Sequence, residues 1–217
     1  MPLDNLEPVA RRATSTIIAE TIRARIMDGT FEPGMQLTEA QLADRLAVSR
    51  GPVREAFQRL LQEGLIEAAP HRGVFVTTLD ADDAADIALA RVTIERAAAA
   101  RVARRGDPAT LDGLQALVDE MDAAATTGRW SDVADIDLRF HEALVAGADS
   151  PRLRRMYATL LVETRLCLQT LPAQHRDPAE VVTEHRGLLA ALADGDVDAA
   201  GARIEAHLAP ANPEVTA

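Results

Sequence analysis

Thr38-Glu-Ala-Gln-Leu-Ala-Asp-Arg-Leu-Ala-Val-Ser-Arg-Gly-Pro-Val-Arg-Glu-Ala-Phe-Gln-Arg-Leu-Leu-Gln-Glu-Gly-Leu-Ile66 is the stretch on which the reading of this chain turns. Thr38 and Gln41 have the form of a capping box, with the hydroxyl placed to accept from the Gln41 N–H and the Gln41 side chain placed to reach back. A helix is predicted from there, carrying Leu42 and Leu46 on one face and ending near Ala47-Val48. Ser49 is then the N-cap of a further helix running to about Glu63, with Gly64 closing it. Within that second helix Arg50, Arg54 and Gln58 stand at i, i+4 and i+8 and share a face, while Val53, Phe57, Leu60 and Leu61 take the other. One face is built to pack and the other to meet a partner. Two helices across a three-residue turn have the spacing of a helix-turn-helix.

Upstream, Ile17, Ile18, Ile22 and Ile26 recur at helical spacing and Gly29 follows, which predicts an amphipathic helix over 15–28 and a turn at Phe31-Glu32-Pro33-Gly34. Downstream, Leu65-Ile66-Glu67-Ala68 and Val74-Phe75-Val76-Thr77 are short β-prone runs separated by Ala69-Pro70-His71-Arg72-Gly73. These predict a hairpin, hence a wing, in which His71 and Arg72 project beside a flexible Gly73. From Asp80 onward β signals vanish. Helices are predicted at about 82–105, 109–127, 131–147, 151–171, 178–193 and 196–209. Pro108, Pro151 and Pro178 each begin a first turn behind Asp107, Ser150 and Asp177 as caps, and Gly106, Gly128 and Gly195 sit at ends. Such short connections make antiparallel neighbours. The expected fold is mainly α: a tail over 1–14, a winged helix-turn-helix over 15–78, an all-α antiparallel bundle over 79–209 and a tail over 210–217.

Composition agrees and narrows the function. All 23 basic residues are Arg, and the net charge is −11. Residues 1–79 hold nine Arg against ten acids and are near neutral, so the acidic excess belongs to the rest of the chain. Binding to phosphates would depend on where the N-terminal arginines sit. The single Cys167 excludes an internal disulfide and a cysteine-based zinc cluster, no apolar leader of signal-peptide type precedes Thr16, and no apolar run spans a bilayer. A cytoplasmic protein is expected.

The exposed arginines fit DNA. An Arg near the start of such a helix can fork onto guanine O6 and N7 in a major groove, or neutralise a phosphate; Arg45 is placed for the backbone, and His71 and Arg72 for a minor groove or phosphate. A lone exposed Arg is usually a solvated charge, but a capped helix, tight turn, Arg-lined helix and hairpin in order make that bland reading a poor account of the set.

In the helical half, Asp137 and His141 are one turn apart on one face and able to chelate a single ion. His185 and His207 lie on helices that antiparallel packing can bring to the same depth, although lone histidines on helices are more often satisfied core or surface groups. His175 reads as a solvated loop residue, and Trp130 and Tyr157 as packing residues. His141-Glu142 begins like a zinc-protease motif, but Val145 stands where the second His would be. No Walker loop and no Gly-x-Ser-x-Gly elbow occurs, so an enzyme is not expected.

Gln41–Ile66 followed by Pro70-His-Arg-Gly-Val-Phe-Val76 closely resembles the winged helix-turn-helix of GntR-family transcription regulators over about residues 16–78. The resemblance implies that Arg45, Arg50 and Arg54, with Ser49 between the helices and Gly73 in the wing tip, occupy operator-contacting positions. Where that family often has Thr, this chain has Gly51, so one contact to DNA is lost there. Residues 82–208 resemble the ligand-binding domain of the family's fatty-acid-regulator (FCD) subgroup, through Asp137-Leu-Arg-Phe-His141, Glu184-His185 and Ala206-His207-Leu208. That resemblance implies one divalent ion (zinc, nickel or manganese) on Asp137, His141, His185 and His207, with Arg91 of Arg91-Val-Thr-Ile-Glu95 gripping an effector carboxylate. Asp149 stands where an Asn is frequent. The expectation is a homodimer on a near-palindromic double-stranded operator, released or recruited by a small organic acid. The alternative is a regulator that senses the ion itself.

Overall fold

The computed structural model describes residues 13–170 and 177–209. The expectations for the first twelve residues, for His175 and for the tail from Pro210 fall outside them. The chain divides into two compact units that meet between Thr78 and Leu79, and each is described by itself.

The first unit begins with α1 (Thr14–Met27), which buries Ile18, Ala19, Ile22 and Ile26 against α3 (Arg50–Gln62). Ile17 is half-exposed, at 50 %. It precedes the buried stripe by about 100° around the helix and so lies outside it. Between α1 and α3 come β1 (Gln36–Leu37) and α2 (Glu39–Arg45). One arm of the capping box forms, since the Thr38 hydroxyl accepts from the Gln41 N–H at 3.3 Å. Ser49 has the extended cap backbone, yet its hydroxyl makes no cap hydrogen bond. Val53, Phe57 and Leu60 are buried as expected, whereas Leu61 lies at the edge of the packed face and is 36 % exposed.

Beyond α3, β2 (Ile66–Ala69) and β3 (Gly73–Val76) pair antiparallel, closed by Ala69 opposite Gly73. The sheet has a third strand that sequence patterning did not disclose: β1 pairs antiparallel with β3, Gln36 opposite Phe75, giving the order β1-β3-β2. Two residues are too few to show alternation.

The second unit is helical: α4 (Ala81–Arg105), α5 (Pro108–Ala125), α6 (Trp130–Gly147), α7 (Pro151–Thr170), α8 (Pro178–Ala193) and α9 (Val197–Leu208). Its longest helix starts with a complete capping box, in which Asp80 accepts from Asp83 N–H and Asp83 reaches back to Asp80 N–H. Asp107, Ser150 and Asp177 cap the three helices that open on proline, as expected, and Gly106 ends α4 in the left-handed region at φ 55°. Asp149 is also left-handed, at φ 50°, which explains why Asn, more tolerant of that conformation, suits the position. The central helix α4 packs on α6, α7, α8 and α9, while α5 packs on α6 and α8. Ala98, Ala99, Val118, Met121, Phe140, Leu144, Leu192 and Ile204 fill the core between them. Small alanines on α4 let its neighbours approach closely, which brings polar groups from different helices within reach of one another.

Candidate metal centre and nucleic-acid interface

On the first unit Arg45, Ser49, Arg50, Arg54, His71, Arg72 and Gly73 are all exposed. The wing departs from expectation in one respect. Gly73 is not a loose tip: it is the first residue of β3, at φ 114°, and a Cβ there would lie 2.8 Å from Gln36 Nε2. That amide donates to the Arg72 carbonyl at 2.7 Å, so β1 props the turn from beside it. The tip is His71, left-handed at φ 61°, next to Arg72, whose guanidinium stands 5.6 Å from the Phe75 ring centroid. On α3, Arg54 is already paired: Nε donates to Glu39 Oε1 at 2.9 Å and Nη2 to Oε2 at 2.8 Å. The arginine is therefore an oriented fork rather than a free charge.

In the second unit four side chains from three helices converge. Asp137 and His141 come from α6, His185 from α8 and His207 from α9, and one ligand atom from each lies within 4.8 Å of every other. The three histidines are buried. His141 Nε2 is 2.9 Å from His207 Nε2, and Asp137 Oδ1 is 3.3 Å from both His185 Nε2 and His207 Nε2 and 3.8 Å from His141 Nε2.

Each imidazole is oriented through its other nitrogen. Nδ1 of His141 donates to Glu95 Oε2, Nδ1 of His185 to the Val181 carbonyl at 2.8 Å and Nδ1 of His207 to Glu184 Oε2 at 2.7 Å. With the proton assigned to Nδ1 by these partners, every Nε2 turns a lone pair toward one point. Lone pairs 2.9 Å apart repel unless a cation lies between them, and His185 Nε2 is buried with no hydrogen-bond partner. Ligands about 2.1 Å from a common ion and roughly 90–110° apart would be about 3.0–3.4 Å from one another, close to the 2.9, 3.3 and 3.3 Å found for three of the pairs. A three-imidazole, one-carboxylate donor set therefore fits a divalent first-row metal.

The electrostatics agree. Burial opposes ionisation of Asp137, yet His141, His207 and His185 hold its carboxyl far below the usual carboxylate range. Burial pushes His185 down to about 4 against the pull of Asp137, so it is neutral and ready to ligate at pH 7.

Behind the four lies Glu95 on α4, fully buried, which sequence reasoning did not single out. It accepts from His141, from Arg91 Nε at 2.9 Å and from the Tyr157 hydroxyl at 2.9 Å. Burial would raise its pKa, but His141 and Arg91 outweigh that and hold it at about 2. Tyr157 is thus more than a packing residue; burial and Glu95 push its phenol well above the ordinary value. Arg91 is buried at 6 % exposure, with Asp137 near enough to help hold its charge, and its Nη2 has no hydrogen-bond partner.

Comparison with known proteins gives the frame for both sites. Residues 14–76 match the family model for bacterial regulatory proteins of the gntR family, and residues 86–210 match the FCD domain. The chain is a GntR-family regulator with an FCD domain. This GntR regulator is 35 % identical over 130 residues to an HTH-type transcriptional regulator from the TAR-I ttuE-ttuC' intergenic region of Agrobacterium vitis, covering 58 % of this chain and 76 % of that one. It is 29 % identical over 192 residues to the HTH-type transcriptional repressor RspR of Escherichia coli (strain K12), covering 88 % and 84 %. Among solved structures, a GntR transcriptional regulator from Rhodococcus sp. RHA1 superposes with a TM-score of 0.75 at 32 % identity over 91 % of this chain and 94 % of that one. The relatives and both domains are those of transcription regulators rather than enzymes. Among the described residues no helix is long and apolar enough to cross a membrane.

Proposed function

We propose that this GntR regulator binds a near-palindromic operator as a homodimer, and that a small organic acid held at a divalent metal in the FCD domain controls its operator affinity. Arg50 and Arg54 read bases, Arg45 and Ser49 touch the backbone, and His71, Arg72 and Gly73 bring the wing to the adjacent groove or phosphate. Asp137, His141, His185 and His207 hold the ion, which would supply Lewis-acid coordination to one end of the effector. The reading is supported above all by Arg91. A buried guanidinium with an unsatisfied Nη2 is costly to keep, and a carboxylate arriving beside the metal would satisfy it. Glu95 keeps the cation folded inside while leaving that nitrogen unused. The effector can act on DNA binding only through its preference between operator-competent and operator-incompetent states.

Metal analysis tests the foundation. Purified protein is expected to carry about one ion per chain, and His185→Ala to lose most of it. Full metal content in that variant would remove His185 from the ligand set. A melting-temperature screen over hydroxy acids, sugar acids and dicarboxylates is then expected to give shifts in metal-loaded protein that disappear with chelator.

A further inference from the structure

Resting on the reading of Arg54 as a base-contacting residue, we propose that Glu39 is a positioning residue of the reading head, holding Arg54 by one edge so that its other edge discriminates the base. Glu39 is the first residue of α2, and Arg54 lies one turn into α3. The pair therefore ties the two helices of the motif together on their outer side. Both Glu39 oxygens are used, one by Nε and one by Nη2 of Arg54. The Glu39 side chain is 30 % exposed and the Arg54 side chain 63 %, which leaves the arginine accessible while its orientation is fixed.

The chemistry of the guanidinium decides what that does. Its five N–H groups form a planar fork with two usable edges, one through Nε and Nη2 and an end-on one through Nη1 and Nη2. Glu39 occupies the first edge. The end-on edge keeps two parallel donors, which match guanine O6 and N7. An unheld Arg at this position would turn its charge toward whichever phosphate came nearest, gaining affinity for any duplex. A held one gives up that freedom and places its donors where only a base edge can use them. Glu39 also carries its own negative charge beside the reading face, which disfavours phosphate approach; Arg50 contributes to keeping that carboxyl ionised, after the larger effect of Arg54 itself.

The test uses full-length protein and a duplex recovered by it from a randomised 20-bp pool, measured against a shuffled duplex of the same composition at several salt concentrations. E39Q preserves size and removes the charge, and unchanged melting of the variant checks its fold. The selected-over-shuffled affinity ratio is expected to fall about tenfold in E39Q, with binding to shuffled DNA becoming tighter. In an R54A background the same substitution is expected to change the ratio by less than twofold. A ratio unchanged in E39Q overturns the proposal, and so does an equal fall in both backgrounds, which would make Glu39 a plain local charge. Failure of the underlying reading looks different: R54A itself would keep the ratio, or the wild type would enrich no sequence at all.

Discussion

At the scale of the residue, Glu95 joins three groups with different tasks: a metal-directed imidazole, a buried guanidinium and a phenol. A carboxylate on the far nitrogen of a ligating histidine fixes the tautomer and raises its basicity, and loss of such a partner typically weakens metal binding roughly 10–100-fold. Glu95→Gln is expected to show a loss of that size in competition with a chromophoric chelator, with helical content by circular dichroism unchanged. Metal affinity equal to wild type would remove Glu95 from the support of the site. The convergence of Asp137, His141, His185 and His207 was legible because the first two share a helical face and the resemblance to the FCD pattern implied the other two beside them. Glu95 was not. Four residues after Arg91, it reads as an ordinary surface ion pair, and only its complete burial distinguishes it from one. The Glu39–Arg54 pair was hidden for the opposite reason: its partners are 15 residues apart on separate helices, a separation that carries no periodic signal.

At the scale of the element, most helices were legible because their punctuation is chemical. Asp107 and Asp177 cap, Pro108 and Pro178 open, and Gly106 closes in the left-handed region that glycine alone enters without cost. The wing was legible only in part. Its two longer strands are short β-prone runs and its turn residues are conspicuous, but β1 is two residues long and is held by β3 rather than by its own pattern. That strand changes the meaning of Gly73. Sequence alone suggested a flexible tip, whereas the residue closes the hairpin at φ 114° and lies under Gln36. Gly73→Ala therefore meets both backbone strain and a close contact, and is expected to cost about 1–3 kcal/mol in chemical denaturation. It should weaken operator binding beyond what the stability loss explains, because the turn carrying His71 and Arg72 moves. A variant with wild-type denaturation midpoint would show that the wing is freer than its geometry.

At the scale of the whole molecule, the charge is divided to suit two tasks. The near-neutral N-terminal part exposes Arg45, Arg50, Arg54 and Arg72 on the two helices of the motif and the wing, while the acidic helical part buries a small set of polar groups around one point. The first arrangement suits a polyanion, provided the charged face is specific rather than merely basic. The second is expensive: buried charges without partners cost several kcal/mol each unless an ion or a ligand compensates them. Among the described residues, Arg91 Nη2 and His185 Nε2 are buried without a hydrogen-bond partner, and on the proposed reading the acid and the ion compensate them. Regulation requires that filling the FCD pocket change operator affinity. The most direct measurement is the dissociation constant for a duplex selected by the wild-type protein, titrated with a panel of hydroxy acids, sugar acids and dicarboxylates in metal-loaded and chelated protein. At least one acid is expected to shift operator affinity by about 5–150-fold when metal is present and to leave it unchanged when the metal is removed. Operator affinity that ignores every acid, or that follows the metal alone, would contradict that expectation.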